Sequence, residues 1–535
     1  MRIDDAETEI ARATNEPPTV YPGTLKIACA AQRVALAGLA LYAVFAPHSI
    51  AGAWIGLSIA ILGWLIRTTT FRHDSFAESN DPSSDFIRSR LSRFIRQRLN
   101  IHPTPLALPL WLFFAWSVVA AFFSAEPHVS LPKLASVSTF LIFYLVQSVV
   151  TRRTAIPLAA LLIASGVAGA LWSAGETARG RGVCIETIVG DSPLIAATEL
   201  RPGDCVWRVN RRRVASVDEI DEIIRGTPPG QSLSLSVITR GEHAEWIGPL
   251  VTPEMQAAAS PSGLTGTRPT RRFRASGWTR HYETFAEALQ ILAQLALGFT
   301  LAYFSRRAAR RRVLLCAAAF TLLAVGLALT SMRTTLVAFT VGALVSAWRA
   351  AGPAKRARLA IVCAVACALV CGALIVNYTR ASGALQLQDA SSRLRAQVAR
   401  AALRRIPERP LFGHGMDAVK FHWREWNFPG DIMIHTHSTP LQLAFERGLP
   451  ALALWLWLLA SIWLFLTRAE KIWRASTDAG AHGFLVGATG AFAGFAASSL
   501  VNYNLGDAET ALLIWWLLGT AVAIVNDKKL KEAIT

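Results

Sequence analysis

The sequence predicts an all-α polytopic membrane protein of about 12 transmembrane helices, with one inserted α+β domain, mostly β, on its outer side. Three observations predict this fold class. Hydrophobic residues make up 53% of the 535 residues and charged residues only 17%, too little charge for a soluble protein of this length. The apolar residues come in stretches of roughly 17 to 25, which is the length that crosses a bilayer. Basic clusters recur between those stretches, where they orient a membrane protein.

Twelve apolar stretches are predicted as transmembrane helices. They are residues 27–47, 51–67, 105–124, 131–150, 155–174, 284–304, 313–330, 334–349, 358–378, 440–466, 482–502 and 509–526. With both termini cytoplasmic, the basic clusters between these spans all fall on the cytoplasmic side, as the positive-inside rule requires. We therefore expect a multi-pass membrane protein. These clusters also explain the net charge of +18, and no nucleic-acid motif accompanies them, so we expect the lipid bilayer and no nucleic acid as a partner.

This topology divides the chain into five parts. They are transmembrane helices 1 to 5 (1–174), a first outer insertion (175–283), helices 6 to 9 (284–378), a second outer insertion (379–440), and helices 10 to 12 with a cytoplasmic tail (441–535).

The first insertion changes from helical to strand-like periodicity. Its short alternating runs end at turn residues, which is typical of strands. About residues 180–245 resemble a bacterial PDZ domain of the kind attached to envelope proteases. The matching pieces are Gly182-Val183, Asp191-Ser192-Pro193, Leu200 to Asp204, the strand Cys205 to Asn210, the helix Ser216 to Arg225, Pro229-Gly230 and a strand ending at Arg240-Gly241. The resemblance implies that an extended peptide or protein ligand adds a strand to the sheet. A structural spacer over the membrane surface is an equal alternative.

Two further features of this insertion bear on function. Cys184 and Cys205 are the cysteines of the insertion, and a disulfide between them is possible, although the sequence does not define the geometry. Membrane-embedded metalloproteases also carry PDZ domains between transmembrane helices, but they hold zinc with an HExxH pair. No histidine of the sequence begins that pattern, which disfavours this class.

The second insertion is rich in arginine. Residues 380–409 contain seven arginines and no lysine, on the side that the positive-inside rule keeps poor in positive charge. Arginine's planar fork suits phosphate, so Arg393, at the start of a predicted helix, is a candidate anion ligand. Arg333, between two apolar spans, is the other. Contact with lipid headgroups and snorkelling to water are the structural alternatives.

Four histidines gather just before the span 440–466: His414, His422, His435 and His437. A histidine at the start of a helix usually makes a structural hydrogen bond. The functional alternative is that His437 takes a proton from a hydroxyl group as a neutral imidazole.

Taken in order, these motifs resemble the superfamily of O-antigen ligases and polymerases, which includes the protein O-oligosaccharyltransferases. The ligase pattern is present as His437-Ser438, nine residues, Gly448, two residues, and Ala451, where the family has Gly, Thr or Tyr. Upstream, two segments match the family's arginine motifs: SMRTT around Arg333, and SSRLRAQVARAALRRIPERPLFGHG, which begins at Ser391 and contains Arg393. The resemblance covers about residues 285–525.

The resemblance implies a metal-independent, inverting glycosyltransferase that needs no cofactor. It would move a glycan from undecaprenyl diphosphate to a hydroxyl of lipid A-core on the periplasmic side of the bacterial inner membrane. The insertion 175–283 would then be periplasmic, and 379–440 would be the periplasmic catalytic loop. His437 would be the base, and Arg333 and Arg393 would bind the diphosphate. His435, Asp431 and Gly448 are possible accessory residues.

Two alternatives stay open at this point. One keeps the chemistry and changes the acceptor: a polymerase that joins repeat units, or a protein O-oligosaccharyltransferase. The other is a non-enzymatic envelope scaffold or transporter, in which the arginines bind lipid and the PDZ-like domain recruits a partner.

Overall fold

Helices form most of the described chain. The computed structural model describes residues 22–70, 101–188, 194, 198, 200–239, 242–271, 273–279, 281–351, 390–430 and 435–526. The helices are α1 (Pro22–Phe45), α2 (Ile50–Thr70), α3 (Ala107–Phe123), α4 (Pro127–Val137), α5 (Leu141–Val149), α6 (Arg152–Arg179), α7 (Val217–Gly226), α8 (Pro253–Ala257), α9 (Tyr282–Ser305), α10 (Arg310–Leu329), α11 (Arg333–Ala350), α12 (Ala390–Arg405), α13 (Thr439–Trp473), α14 (Ala479–Ser499) and α15 (Ala508–Val525). The strands are β1 (Arg181–Ile188), β2 (Cys205–Val209), β3 (Arg212–Arg213), β4 (Ser232–Thr239), β5 (Glu242–Leu250) and β6 (Leu264–Thr270).

Many of these helices are long and apolar enough to cross a bilayer. Within the described ranges there are eight: Lys26–Phe45, Ile50–Thr70, Pro127–Val149, Arg152–Arg179, Tyr282–Ser305, Arg310–Leu329, Thr439–Trp473 and Ala508–Val525. The protein is therefore a multi-pass membrane protein, as predicted. Helices lie at eleven of the twelve predicted spans. The total of about 12 stays a prediction, because the span 358–378 lies outside the described residues, α3 is a shorter apolar helix, and α11 and α14 do not qualify by length and hydropathy alone.

Helix α9 is the centre of the bundle, buried along nearly its whole length. It packs closely on α14 because both helices present glycine at the crossing: a Cβ on Gly298 would stand 2.3 Å from the Gly487 nitrogen. Small residues let membrane helices approach in this way. Polar side chains then join the helices, since Gln294 Nε2 of α9 donates to the Phe339 carbonyl oxygen at 2.7 Å. An internal partner of this kind is needed where there is no water to hydrogen-bond.

Helix α13 is kinked rather than straight. Gly448 has φ 79° and ψ 174° inside the helix, and the preceding turn leaves space for the segment Pro410–Gly413. The Leu449 nitrogen donates to the Pro410 carbonyl oxygen at 2.8 Å, and the His414 nitrogen donates to the Phe445 carbonyl oxygen at 2.8 Å. The kink therefore anchors the loop between α12 and α13 to the start of α13.

The inserted domain is built on one antiparallel sheet. The strand order is β5-β4-β2-β1-β6, with β3 paired to β2. Helix α7 buries Ile220, Ile223 and Ile224 in a core that it shares with β1, β2 and β4. Strand β2, α7 and β4 lie where the resemblance to a PDZ domain predicts a strand, a helix and a strand, but the sheet continues to Thr270 because β6 pairs with β1. The PDZ resemblance itself stays a prediction, and its piece at 191–193 lies outside the described residues.

The two cysteines of this domain form a disulfide. Cys184 of β1 lies opposite Cys205 of β2 in the register of the sheet, with their Cα atoms 3.9 Å apart. The bond joins the first strand after α6 to the centre of the sheet.

Candidate functional site

A cavity of about 370 Å³ opens where distant segments of the chain meet. It lies between the start of α9, the turn from α10 to α11, helix α12, the residues just before α13, and the end of α14. Its lining residues are Arg274, Tyr282, Glu283, Ser331, Met332, Arg333, Thr334, Arg395, Ala396, Ala399, Thr436, His437, Ser438, Leu500 and Val501.

The cavity brings together two of the predicted site residues. Arg333 and His437 both line it, although they stand 104 positions apart in the sequence. Among the residues described in α12, Arg395 lines the cavity and Arg393 does not; Arg393 is exposed. Residues two apart lie about 200° apart around a helix, so the two arginines cannot face the same side. Asp431 lies outside the described residues.

Arg395 has a carboxylate partner inside the cavity. Its Nη2 lies 3.3 Å from Glu283 Oε1, and both side chains are about one-third exposed. A pair of this exposure is weakened by solvent and contributes little to stability. The guanidinium group can therefore exchange Glu283 for an anionic ligand at small cost.

Sequence reasoning missed Arg274, Tyr282 and Glu283. The Arg274 guanidinium lies over the Tyr282 ring, 4.4 Å from its centroid, at the entrance to α9. Arg274 lies in the long insertion, ten positions before the predicted span 284–304, and not between two adjoining spans as Arg333 does, so no local signal singled it out. Arg274, Arg333 and Arg395 thus place three guanidinium groups in one cavity.

The backbone at this site is held in unusual conformations. His437 has φ 57° and Ser331 has φ 54°, both in the left-handed region that non-glycine residues rarely adopt. Such a conformation costs on the order of 1 kcal/mol or more and persists where surrounding contacts impose it. Both residues line the cavity, so two of its walls are set by strained turns.

Buried hydrogen bonds impose that conformation on the segment before α13. Gln442 Oε1 accepts from the Thr436 nitrogen at 2.7 Å, and Gln442 Nε2 donates to Glu446 Oε1 at 2.8 Å. The hydroxyl of Thr439 donates to the Asn502 carbonyl oxygen at 2.9 Å. His437 is thus attached to both α13 and the end of α14.

His435 lies directly beside His437. The two rings are perpendicular with centroids 4.4 Å apart. The His437 nitrogen donates to His435 Nδ1 at 3.3 Å, so a neutral His435 carries its proton on Nε2. His435 therefore supports the backbone that presents His437.

The environment keeps the His437 imidazole neutral. Burial lowers the pKa of His437 from 6.5 to about 3, and the neighbouring His435 and Arg395 side chains act in the same direction. Burial also lowers the pKa of His435. At neutral pH the His437 ring is thus uncharged, which is the protonation state that a proton acceptor requires.

The other two histidines of this region have structural contacts. His414 stacks on Phe445, with ring centroids 4.6 Å apart, and its Nε2 lies 3.0 Å from the Arg405 carbonyl oxygen. His422 lies between Glu425 and Glu126, at 2.6 and 2.9 Å. Neither is among the cavity's lining residues within the described chain.

No metal-binding cluster of three or more His, Cys, Asp or Glu side chains occurs within the residues that the structure describes. The expectation of metal-independent, cofactor-free chemistry stays a prediction.

Comparison with known proteins finds a similarity for part of the chain. Residues 317–456 match the O-antigen ligase family, a stretch that runs from α10 into α13 and includes Arg333, Arg395, His437 and Gly448. No curated protein sequence matches the chain. The match supports a membrane enzyme of the O-antigen ligase and polymerase type.

Proposed function

We propose that the protein is a glycosyltransferase that moves a glycan from undecaprenyl diphosphate to a hydroxyl of lipid A-core. The observation that carries this proposal is the meeting of Arg274, Arg333, Arg395 and His437 in one cavity, within a chain whose residues 317–456 match the O-antigen ligase family. Three positive groups fit the charge of a diphosphate. The neutral imidazole fits an acceptor hydroxyl.

The proposed reaction is one displacement at the sugar C1. The acceptor oxygen forms a bond to C1 as the bond from C1 to the diphosphate oxygen breaks, and the sugar configuration inverts. His437 takes the hydroxyl proton. The electron pair of the broken bond leaves on the diphosphate, where fixed guanidinium groups stabilise the growing negative charge without reorganising.

Donor binding adjusts the base for this task. Burial, the neighbouring His435 and the positive Arg395 lower the pKa of His437, which keeps the ring neutral but makes it a weak base. A bound diphosphate brings negative charge that offsets Arg395. The pKa of His437 then rises towards the working pH, where proton transfer is most effective.

This arrangement predicts two different pH profiles. The ratio kcat/KM for the donor reports the free enzyme, and kcat reports the donor complex. We expect kcat/KM to stay flat from pH 8 to pH 5, because the pKa of His437 lies near 3. For an ordinary histidine, the fraction of neutral imidazole would fall about thirtyfold over the same range. The decrease of kcat on the acid side should occur at a higher pH than that of kcat/KM, because the bound donor raises the pKa of His437. A kcat/KM profile that falls with a midpoint near 6.5 would contradict this role for His437.

Arg393 and Arg395 provide a matched pair for testing the diphosphate site. Arg395→Gln is expected to raise the donor KM about ten- to a hundredfold, the effect of losing one charge-assisted hydrogen bond. Arg393→Gln removes the same charge from the same helix but from an exposed side chain outside the cavity, so we expect less than a twofold change. Steady-state kinetics with a lipid-diphosphate-linked glycan measure both. Equal effects would mean that the cavity is not the donor site.

The charges at the far end of the bundle support the orientation in this proposal. Helix α9 begins at the cavity and ends at Ser305, where the Arg306 guanidinium donates to the Arg474 carbonyl oxygen at 2.7 Å. Arg349 also lies at this end, with its Nη2 2.5 Å from Glu470. By the positive-inside rule this basic end is cytoplasmic. The cavity then opens on the periplasmic side of the inner membrane, and both termini are cytoplasmic.

The acceptor is tested by adding purified protein to a lipid-linked glycan in the presence of lipid A-core. Glycan-capped lipid A-core on a gel is the expected product. Lengthened lipid-linked chains would identify a polymerase, and a glycosylated protein would identify a protein O-oligosaccharyltransferase. No product with any acceptor would favour an envelope scaffold or transporter.

A further inference from the structure

Two consecutive residues connect the inserted domain to the cavity. Phe273 is 1% exposed and packs in a cluster with Cys205, Trp207 and Ile238 of that domain. Arg274, the next residue, lines the cavity. Neighbouring residues in an extended segment point to opposite sides. Phe273 can therefore lie in the core of the inserted domain while Arg274 lies at the cavity.

A buried ion pair connects the Phe273 cluster to the membrane helix α6. Arg181 at the start of β1 is 7% exposed, and its guanidinium lies 4.6 Å from the Trp207 ring centroid and 4.3 Å from that of Phe273. The same guanidinium pairs with Glu176, near the end of α6. A desolvated cation between two aromatic rings is a favourable arrangement. Phe273 is therefore enclosed by the sheet, by its disulfide-linked strands and by an ion pair to a membrane helix.

The cavity side of the segment is fixed as well. The Ala275 nitrogen donates to the Leu329 carbonyl oxygen at 3.0 Å, which attaches the residue after Arg274 to the end of α10. The Arg274 guanidinium lies over the Tyr282 ring. Arg274 thus lies between one anchor in the inserted domain and one in the bundle.

We propose that the inserted domain positions Arg274 in the diphosphate cavity through Phe273. In this inference, which rests on the proposed function, Phe273 is a positioning residue and touches no substrate. The domain becomes part of the donor site, because the sheet and the cluster around the Cys184–Cys205 disulfide determine where one of three guanidinium groups stands. Displacing the Phe273 ring frees the backbone of Arg274, and the arginine then spends less time in the cavity.

The test measures binding of farnesyl diphosphate to the full chain purified in detergent, with farnesol as the probe that lacks the diphosphate. Arg274→Gln and Phe273→Ala should each weaken farnesyl diphosphate binding about tenfold and leave farnesol binding unchanged. Phe273→Leu, which refills most of the space, should restore most of the affinity. The double variant should be no weaker than Arg274→Gln alone, because both changes remove the same interaction.

A matched control separates this contact from general loosening of the domain. Leu235→Ala opens the other core of the inserted domain, which does not include Phe273, and should leave binding unchanged. The inference is overturned if Leu235→Ala weakens binding as much as Phe273→Ala, if the double variant loses affinity additively, or if Phe273→Ala or Arg274→Gln binds like the natural protein. Failure of the natural protein itself to prefer farnesyl diphosphate over farnesol would instead overturn the proposed donor site, and the inference with it.

Discussion

Replacing His437 with glutamine is expected to abolish glycan transfer, lowering kcat by about 10²- to 10⁴-fold, the usual contribution of a general base. Glutamine keeps much of the volume and hydrogen-bonding capacity of the ring but cannot take a proton at neutral pH. Donor binding should survive, since the guanidinium groups that bind the diphosphate are untouched. The measurement is single-turnover transfer from a lipid-linked glycan, together with farnesyl diphosphate affinity.

His435→Gln is the matched control for that variant. His435 supports the His437 backbone at 3.3 Å but is not among the cavity's lining residues in the described chain. We expect a loss of about tenfold, because glutamine can still accept a hydrogen bond from the His437 nitrogen. If His437→Gln kept more than a tenth of the natural rate, a different group would have to be the base.

The second large effect is expected from Gly448→Ala. A Cβ at Gly448 would stand 1.9 Å from the Leu411 carbonyl oxygen and 2.4 Å from its carbon, and φ is 79°. These neighbours are backbone atoms, which cannot move aside as a side-chain tip can. We expect a loss of stability on the order of 3 kcal/mol, from the clash and the left-handed backbone together. Activity should fall with it, since the segment carrying His437 leads directly into the kinked helix.

Gly175→Ala is the control for this variant. Gly175 lies in α6, where an added Cβ meets only the tip of Arg179, at 3.5 Å. Alanine is the better helix former by about 1 kcal/mol, so the control should be neutral or slightly stabilising. Thermal unfolding of the detergent-purified variants compares the two. A Gly448→Ala protein that unfolds at the natural temperature would show that the kink is not required.

The membrane topology was largely predictable because it depends on local composition. A bilayer crossing needs a run of apolar residues of roughly constant length. Each run can therefore be recognised from its own residues, without the rest of the chain. The helix start at Arg333 and the position of His437 just before α13 followed from the same local patterns. The disulfide did not, since spacing along the chain does not define the distance between two cysteines.

The choice between Arg393 and Arg395 illustrates what local patterns lack. Helical periodicity predicts α12 and places the two arginines on opposite sides, but it does not tell which side meets a cavity. That depends on Glu283 and His437, which come from α9 and from the segment before α13. Arg274 was missed for the same reason, because its relevance depends on an inserted domain holding Phe273 from the other side.

The amino-acid sequence alone therefore determined that this protein is a multi-pass membrane protein, that it carries an insertion of strands, and that part of it is similar to O-antigen ligases. Only the tertiary structure decided which arginines share a cavity with His437 and how Gly448 anchors the segment beside them. The physical reason is the distance along the sequence over which each property is defined. Hydrophobic length and periodicity are properties of consecutive residues, whereas a site with three guanidinium groups and one imidazole exists only where helices distant in the sequence pack together.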